Sequence, residues 1–274
     1  MVGLKPHPPT EKHEQGRWYS PGMPELMEAT NLTKVYGTSR VVDGVSFSIN
    51  RGETLGLVGE SGSGKSTVAR MLLRLVEPTS GGVKFDGTDV LAAGKGELRA
   101  LRQRMQMVFQ DPFAALNPKM RIREIVGEPF AIHGGCPRDA VRQRVAQLMH
   151  EVGLETDVLE RYPHEFSGGQ RQRINIARAL ALKPEFLALD EPVSALDVSV
   201  GAQVINLLRD LQRTHGLTYL FISHSMPLVR YLCDRVAVME RGRLVEIGDV
   251  LDVCERPREA YTQRLIAATP EMPV

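Results

Sequence analysis

Cysteine, aromatic residues, net charge and long apolar runs are all scarce in this chain. Its three cysteines among 274 residues, Cys136, Cys233 and Cys254, are odd in number and far apart. That excludes a disulfide framework and a CxxC metal or redox pair, and points to a reducing cytosol. Lys and Arg total 34 against 33 Asp and Glu, and a net charge of +1 gives no whole-molecule field to gather nucleic acid or an anionic surface. The longest apolar runs, FLAL at 186–189 and TYLFI at 218–222, fall far short of the ~20 residues a membrane-spanning helix needs. The first 25 residues hold no apolar signal-peptide core. Work at a membrane would therefore depend on another chain to span it.

What is present is ordinary globular material, 42% hydrophobic and 24% charged, enough for a sizeable core. Residues 1–24, rich in Pro, Gly, Lys, Glu and His with Trp18 and Tyr19 isolated, are predicted to be a disordered tail. From Glu25 the pattern changes to alternating or β-branched segments at 26–37 and 41–52, bounded by Gly, Asn and Asp, as antiparallel strands should be. A short apolar strand, ETLGLV, then runs into a glycine loop, and residues 65–76 follow with helical periodicity up to Pro78. Residues 82–87 predict a strand and turn, and MQMVFQ at 105–110 a buried strand. From 120 to about 165 the chain reads as mostly helical, with Val141, Val145, Leu148 and Val152 on one face. Apolar strands return at 186–190, 218–223, 235–240 and 243–248, with a helix over 198–214. The alternation of strand and helix predicts an α/β core with a mainly parallel sheet, an antiparallel β subdomain in front and a helical subdomain inserted.

The glycine loop, GESGSGKST at 59–67, matches the phosphate-loop pattern in the context that pattern requires, after a strand and opening a helix. Gly59, Glu60, Ser61, Gly62, Ser63 and Gly64 would present backbone amides to phosphate oxygens at a helix N-terminus. Lys65 would reach the β- and γ-phosphates, Ser66 would ligate Mg²⁺ and Thr67 would add a further phosphate contact. FLALDEP ends a buried strand with Asp190 and Glu191. Beside a phosphate loop, the first carboxylate is placed to hold Mg²⁺ and the second to deprotonate an attacking water. Gln110 and His224 likewise end strands, where α/β sheets put ligands. Taken singly, each reads more readily as a capped strand end or a satisfied core side chain, and only the set makes them site residues. FSGGQ at 166–170 places Ser167 three residues before Gln170, a capping box at the start of a helix whose bare Gly168 and Gly169 amides could meet an anion.

The order and spacing of GESGSGKST, Gln110, FSGGQ, FLALDEP, SALD at 194–197 and His224 resemble the ATP-binding cassette ATPases over about residues 26–250. The resemblance implies a cassette domain over 25–250 with its helical subdomain at about 111–180. It also implies ATP and Mg²⁺ as ligands, Tyr36 stacked on adenine, Gln110 at the metal and γ-phosphate, and His224 as the switch histidine. Lys65, Gln110, Glu191 and His224 would be the catalytic set. Two subunits would sandwich two nucleotides, the phosphate loop of one facing Ser167, Gly168, Gly169 and Gln170 of the other, with Asp197 crossing the interface.

Within that family VFQDPFAALNPKM, YPHEFSGGQRQRINIARAL and RPREAYTQRLI resemble the ATPases of oligopeptide and dipeptide importers, which makes 251–274 a C-terminal extension of that type. Such subunits are peripheral at the cytoplasmic membrane face and pair with membrane permeases and a second ATPase, identical or homologous. They are served indirectly by an extracytoplasmic solute-binding protein and need no nucleic acid. Two positions depart from the pattern: Ser225 stands where the family has Asp, and the extension lacks His-Pro before Tyr261. The rival class, a soluble cassette ATPase acting on nucleic acid or ribosomes, would need a second cassette, a long coiled coil or zinc modules, for which 274 residues without CxxC leave no room.

Overall fold

The structure, a computed structural model, describes residues 23–134 and 137–268. The tail expected through residue 24, up to residue 22, and Cys136 lie outside the described residues. Two sheets organise the rest. The first is antiparallel, in the order β2 (Ser39–Asn50), β1 (Glu25–Tyr36), β4 (Ser80–Phe85), β5 (Thr88–Asp89). The alternation in β1 breaks where the register slips between Ala29 and Leu32, because Asn31 adopts a left-handed φ of 49°. Its N–H is taken by Ser46 Oγ at 2.7 Å, so the bulge keeps Ala29 and Leu32 both buried.

The second sheet has six strands. Between β10 (Arg243–Asp249) and β6 (Met105–Val108) it runs β9 (Arg235–Glu240), β3 (Thr54–Val58), β8 (Thr218–Ser223) and β7 (Phe186–Asp190). All neighbours are parallel except the β10–β9 edge. Every residue of β3, β7 and β8 is buried, which is why these strands read as unbroken apolar runs rather than alternating ones. Helices cover both faces: α1 (Lys65–Leu72), α2 (Lys95–Arg104), α7 (Val198–His215), α8 (Met226–Leu232), α9 (Val250–Glu255) and α10 (Ala260–Ala267).

Between β6 and β7 the chain is helical, with α3 (Pro112–Ala115), α4 (Ile122–His133), α5 (Arg138–Glu151) and α6 (Gly168–Leu180). Val145, Leu148 and Val152 are buried, as their spacing predicts. The helix expected over 65–76 stops at Leu72 instead. Arg74 turns left-handed, at φ 49°, and both Leu75 and Val76 direct their N–H groups back to Arg70 O. The Arg74 guanidinium, carried out of the helix, binds Ala93 O at 2.6 Å.

At the edge of the large sheet where strands begin, Arg51 and Arg104 each bridge Asp86 and Glu185 in a closed ring of ion pairs. The ring ties the β4–β5 turn to the starts of β6 and β7. Its arginines hold both carboxyls below their usual range. The opposite edge, where β3, β6, β7 and β8 end, carries every polar residue singled out for catalysis, as ligand sites in α/β sheets do.

Candidate nucleotide site

The loop after β3 is shaped by what surrounds it. A Cβ on Gly59 would lie 2.2 Å from Met239 O, and one on Gly64 2.6 Å from Val41 O. Both residues have left-handed φ, 150° and 102°, so only glycine lets the loop wedge between β2 and β9. Lys65, 5% exposed, folds into this loop and donates to Gly59 O and Glu60 O, each at 2.8 Å. Burial lowers its pKa, against the opposing pull of the Glu191 and Asp190 carboxylates. Ser66 Oγ donates to Asp190 Oδ1 at 2.7 Å. Asp190 is buried at the end of β7. Desolvation raises its pKa, opposed by that hydrogen bond and the charge of Arg70.

Glu191, the next residue, has a left-handed φ of 45°, unusual for a residue with a Cβ and found where a site holds a side chain against its preference. The turn is pinned by Glu191 N–H to Ile222 O at 3.1 Å and by Ser194 Oγ donating to Glu191 O at 3.1 Å. One oxygen of its carboxylate, Oε2, accepts from Gln110 Nε2 at 3.2 Å and faces His224 Nδ1 at 3.4 Å. His224 is largely exposed. The Ser225 N–H that follows it is fixed by Ser223 Oγ at 3.0 Å, so the serine that replaces Asp leaves the histidine on a braced turn.

These groups surround a cleft of about 560 Å³ lined by Ser61, Gly62, Gly64, Lys65, Ser66, Thr67, Gln110, Glu191, His224 and Val41. Sequence reasoning missed Val41, an unremarkable strand valine with no signal of its role. Gly59, Glu60 and Ser63 form the base of the loop, with Ser63 O accepting from Gly242 N–H at 3.1 Å. Tyr36 is outside the lining, half exposed, with Lys34 Nζ 4.8 Å from its ring centre. A cleft lined by a glycine-rich loop and a lysine, a buried carboxylate beside a serine hydroxyl and a second carboxylate in the lining suit nucleotide hydrolysis by water.

Ser167, Gly168, Gly169 and Gln170 are also outside the lining. Ser167 caps α6, its Oγ accepting from Gln170 N–H at 3.3 Å while Gln170 Oε1 accepts from Ser167 N–H at 3.1 Å. Behind the cap, a Cβ on Gly169 would stand 2.2 Å from Val200 Cγ1, so this glycine is required for α6 to meet α7. Asp197 caps α7 through Val200 N–H at 2.9 Å. Further along α6, Arg171 lies 3.8 Å over the Phe113 ring and Arg178 donates to Ala115 O at 2.7 Å. The helix that begins at Ser167 therefore grips the segment after Gln110. The sequence shows these arginines only as helix-face charges, at a spacing of seven.

Among the described residues no helix is long and apolar enough to cross a membrane. The family model for ABC transporters matches residues 42–194. The chain is 51% identical over 252 residues to the oligopeptide transport ATP-binding protein OppF of Bacillus subtilis, covering 90% of this chain and 83% of that one. Among solved structures it is similar to cbiO1 of Clostridium perfringens, part of the ABC transporter complex cbiONQ, at 28% identity. That match has a TM-score of 0.76 and covers 85% of this chain and 91% of the other. A dimeric post-hydrolysis structure of the ATP-binding cassette MJ0796 with ADP and Pi matches at 29% identity and a TM-score of 0.75, covering 82% and 99%. With a cassette fold, a glycine-rich loop lining its cleft and relatives aligned along nearly its whole length, the chain belongs to the ABC transporter family as an ATP-hydrolysing subunit.

Proposed function

We propose that this chain energises a membrane importer of oligopeptides or dipeptides, working as a peripheral subunit at the cytoplasmic face. The observation that carries the peptide assignment is the 51% identity, over 90% of the chain, to a protein named for oligopeptide transport. Its immediate partners are membrane permeases and a second ATPase subunit, and an extracytoplasmic solute-binding protein delivers the cargo.

In this reading backbone amides of the loop from Ser61 to Gly64, with Lys65 and Thr67, hold the ATP phosphates, the Glu60 N–H being taken by Tyr261 instead, and Tyr36 stacks on adenine. Ser66 and Asp190 would hold Mg²⁺, with Gln110 lining the same cleft. The fit is good, since Mg²⁺ is bound by one or two protein oxygens and completes its shell with phosphate and water. Among the described residues no cluster of three His, Cys, Asp or Glu forms a site independent of nucleotide. Held by Ser66 and Asp190, the ion would supply neutralisation of charge on the phosphate oxygens. Glu191 takes a proton from water as it attacks the γ-phosphorus. The bond to the bridging oxygen breaks to leave ADP and phosphate, with Lys65 and His224 stabilising the charge in transit.

Ser167, Gly168, Gly169, Gln170 and Asp197 complete the site of the second subunit. Supporting this, Ser167 to Gln170 form the capped start of α6 and Asp197 caps α7, all of them outside the lining of their own chain's cleft. The grip of α6 on residues 113–115 supports Gln110 and its neighbours as the link from nucleotide to permease. The test is purification of the intact membrane complex and reconstitution in proteoliposomes. Peptide with the solute-binding protein should raise ATPase several-fold; stimulation by a different solute class alone would contradict the peptide assignment.

A further inference from the structure

The C-terminal extension touches the phosphate loop itself. Tyr261, in the first turn of α10, buries its ring and accepts through Oη from Glu60 N–H at 3.1 Å. That N–H belongs to the Gly59–Glu60 peptide, whose carbonyl, on Gly59, accepts from Lys65 Nζ at 2.8 Å. One peptide unit is thus held at its N–H by Tyr261 and at its C=O by the lysine that reaches for phosphate. The tyrosine is itself well anchored. Glu246 on β10 fixes the entry to α10 by accepting from Arg258 N–H and Glu259 N–H at 3.0 and 3.2 Å. Arg264 lies over the Tyr261 ring and 3.8 Å from Glu240.

When Lys65 leaves the Gly59 carbonyl to take a phosphate, the hydrogen bond to Tyr261 still fixes the orientation of this peptide. Gly59, with φ at 150°, offers little intrinsic resistance to a peptide rotation. We propose that Tyr261 is a positioning residue for ATP binding, which makes the C-terminal extension part of the nucleotide site. This rests on the assignment of residues 59–67 to phosphate binding.

Tyr261→Phe keeps the ring and removes only the acceptor. In the full chain it should raise the Kd and KM for ATP about fivefold to tenfold, as expected when a partly buried N–H loses its partner, with kcat within about twofold. The melting temperature should fall by no more than a few degrees, and amide exchange at Glu60 should quicken about tenfold in the ATP-bound protein. Unchanged ATP affinity, or unchanged exchange at Glu60, would overturn the proposal. Lys65→Ala is the control for the underlying assignment: normal ATP binding in that variant refutes the phosphate-loop reading. The Glu60 exchange in Tyr261→Phe judges the tyrosine independently.

Discussion

His224 Nδ1 stands 3.4 Å from Glu191 Oε2, on a different strand end and across the mouth of the cleft. Gln110 approaches the same oxygen, at 3.2 Å. A carboxylate addressed from two sides is held in one rotamer and can present its second oxygen to a water. Glu191→Gln should therefore keep ATP binding within about threefold and lower steady-state hydrolysis about 10²- to 10⁴-fold, the range of general-base catalysis. His224→Ala should lower kcat at least about tenfold with little change in ATP affinity, since its contact bears on the reacting group rather than the bound phosphates. Nucleotide titration and phosphate-release assays on the two variants read both effects. Near-normal turnover in Glu191→Gln would remove Glu191 as the base.

Gly169 and Val200 are pressed together behind the start of α6. Gly169→Ala puts a methyl 2.2 Å from Val200 Cγ1. Overpacking of this kind costs about 1–3 kcal/mol, and here it should tilt α6 as well as lower the melting temperature. Adding Val200→Ala opens the space, so the double variant should recover most of the lost stability and ATPase. Additive losses in the double variant would mean the two residues do not share this contact.

The ion ring of Arg51, Arg104, Asp86 and Glu185 predicts a pH dependence. Both carboxyls lie below their ordinary values of 3.8 and 4.5 in the folded protein, with Arg104 the leading cause in each case. A lowered folded pKa gives stability that is complete above the unfolded value and is lost as the pH falls through the folded one. The ring should thus stabilise the protein at neutral pH and weaken as the pH drops below about 4.5. Glu185→Gln should melt lower than the parent at pH 7, and the gap should narrow as the pH falls from about 4.5 through the lowered folded value. A gap that stays constant over that range would show that the ring is not electrostatic in effect.

The cleft is unusually legible in the sequence because each of its elements carries a local signature. The glycine loop, the carboxylates ending FLALD and the residues ending MQMVF and TYLFI all sit where short apolar strands stop, and strand ends can be read from apolar runs alone. What stayed hidden depends on contacts between distant segments. Val41 lines the cleft only because β2 passes beside Gly64. Tyr261 meets Glu60 only because α10 folds back across the ends of the sheet. Arg171 and Arg178 look like solvated charges until the segment Pro112–Ala115 is laid across them. Helix α1 ended early for a tertiary reason too, with Arg74 drawn out to the backbone of Val90 and Ala93.

The central claim is that Ser167 and its neighbours serve a nucleotide bound by another subunit. It is tested most directly by mixing two inactive forms of the isolated ATPase, Ser167→Arg and Glu191→Gln, each still able to bind ATP. In a mixed dimer, the Ser167→Arg chain supplies an intact cleft and the Glu191→Gln chain an intact Ser167, so one complete site forms. Mixing should restore about a quarter of wild-type turnover, from half the dimers each holding one working site. If Ser167 acts on its own chain's nucleotide, no combination repairs either defect, and the mixture will be as inactive as its parts.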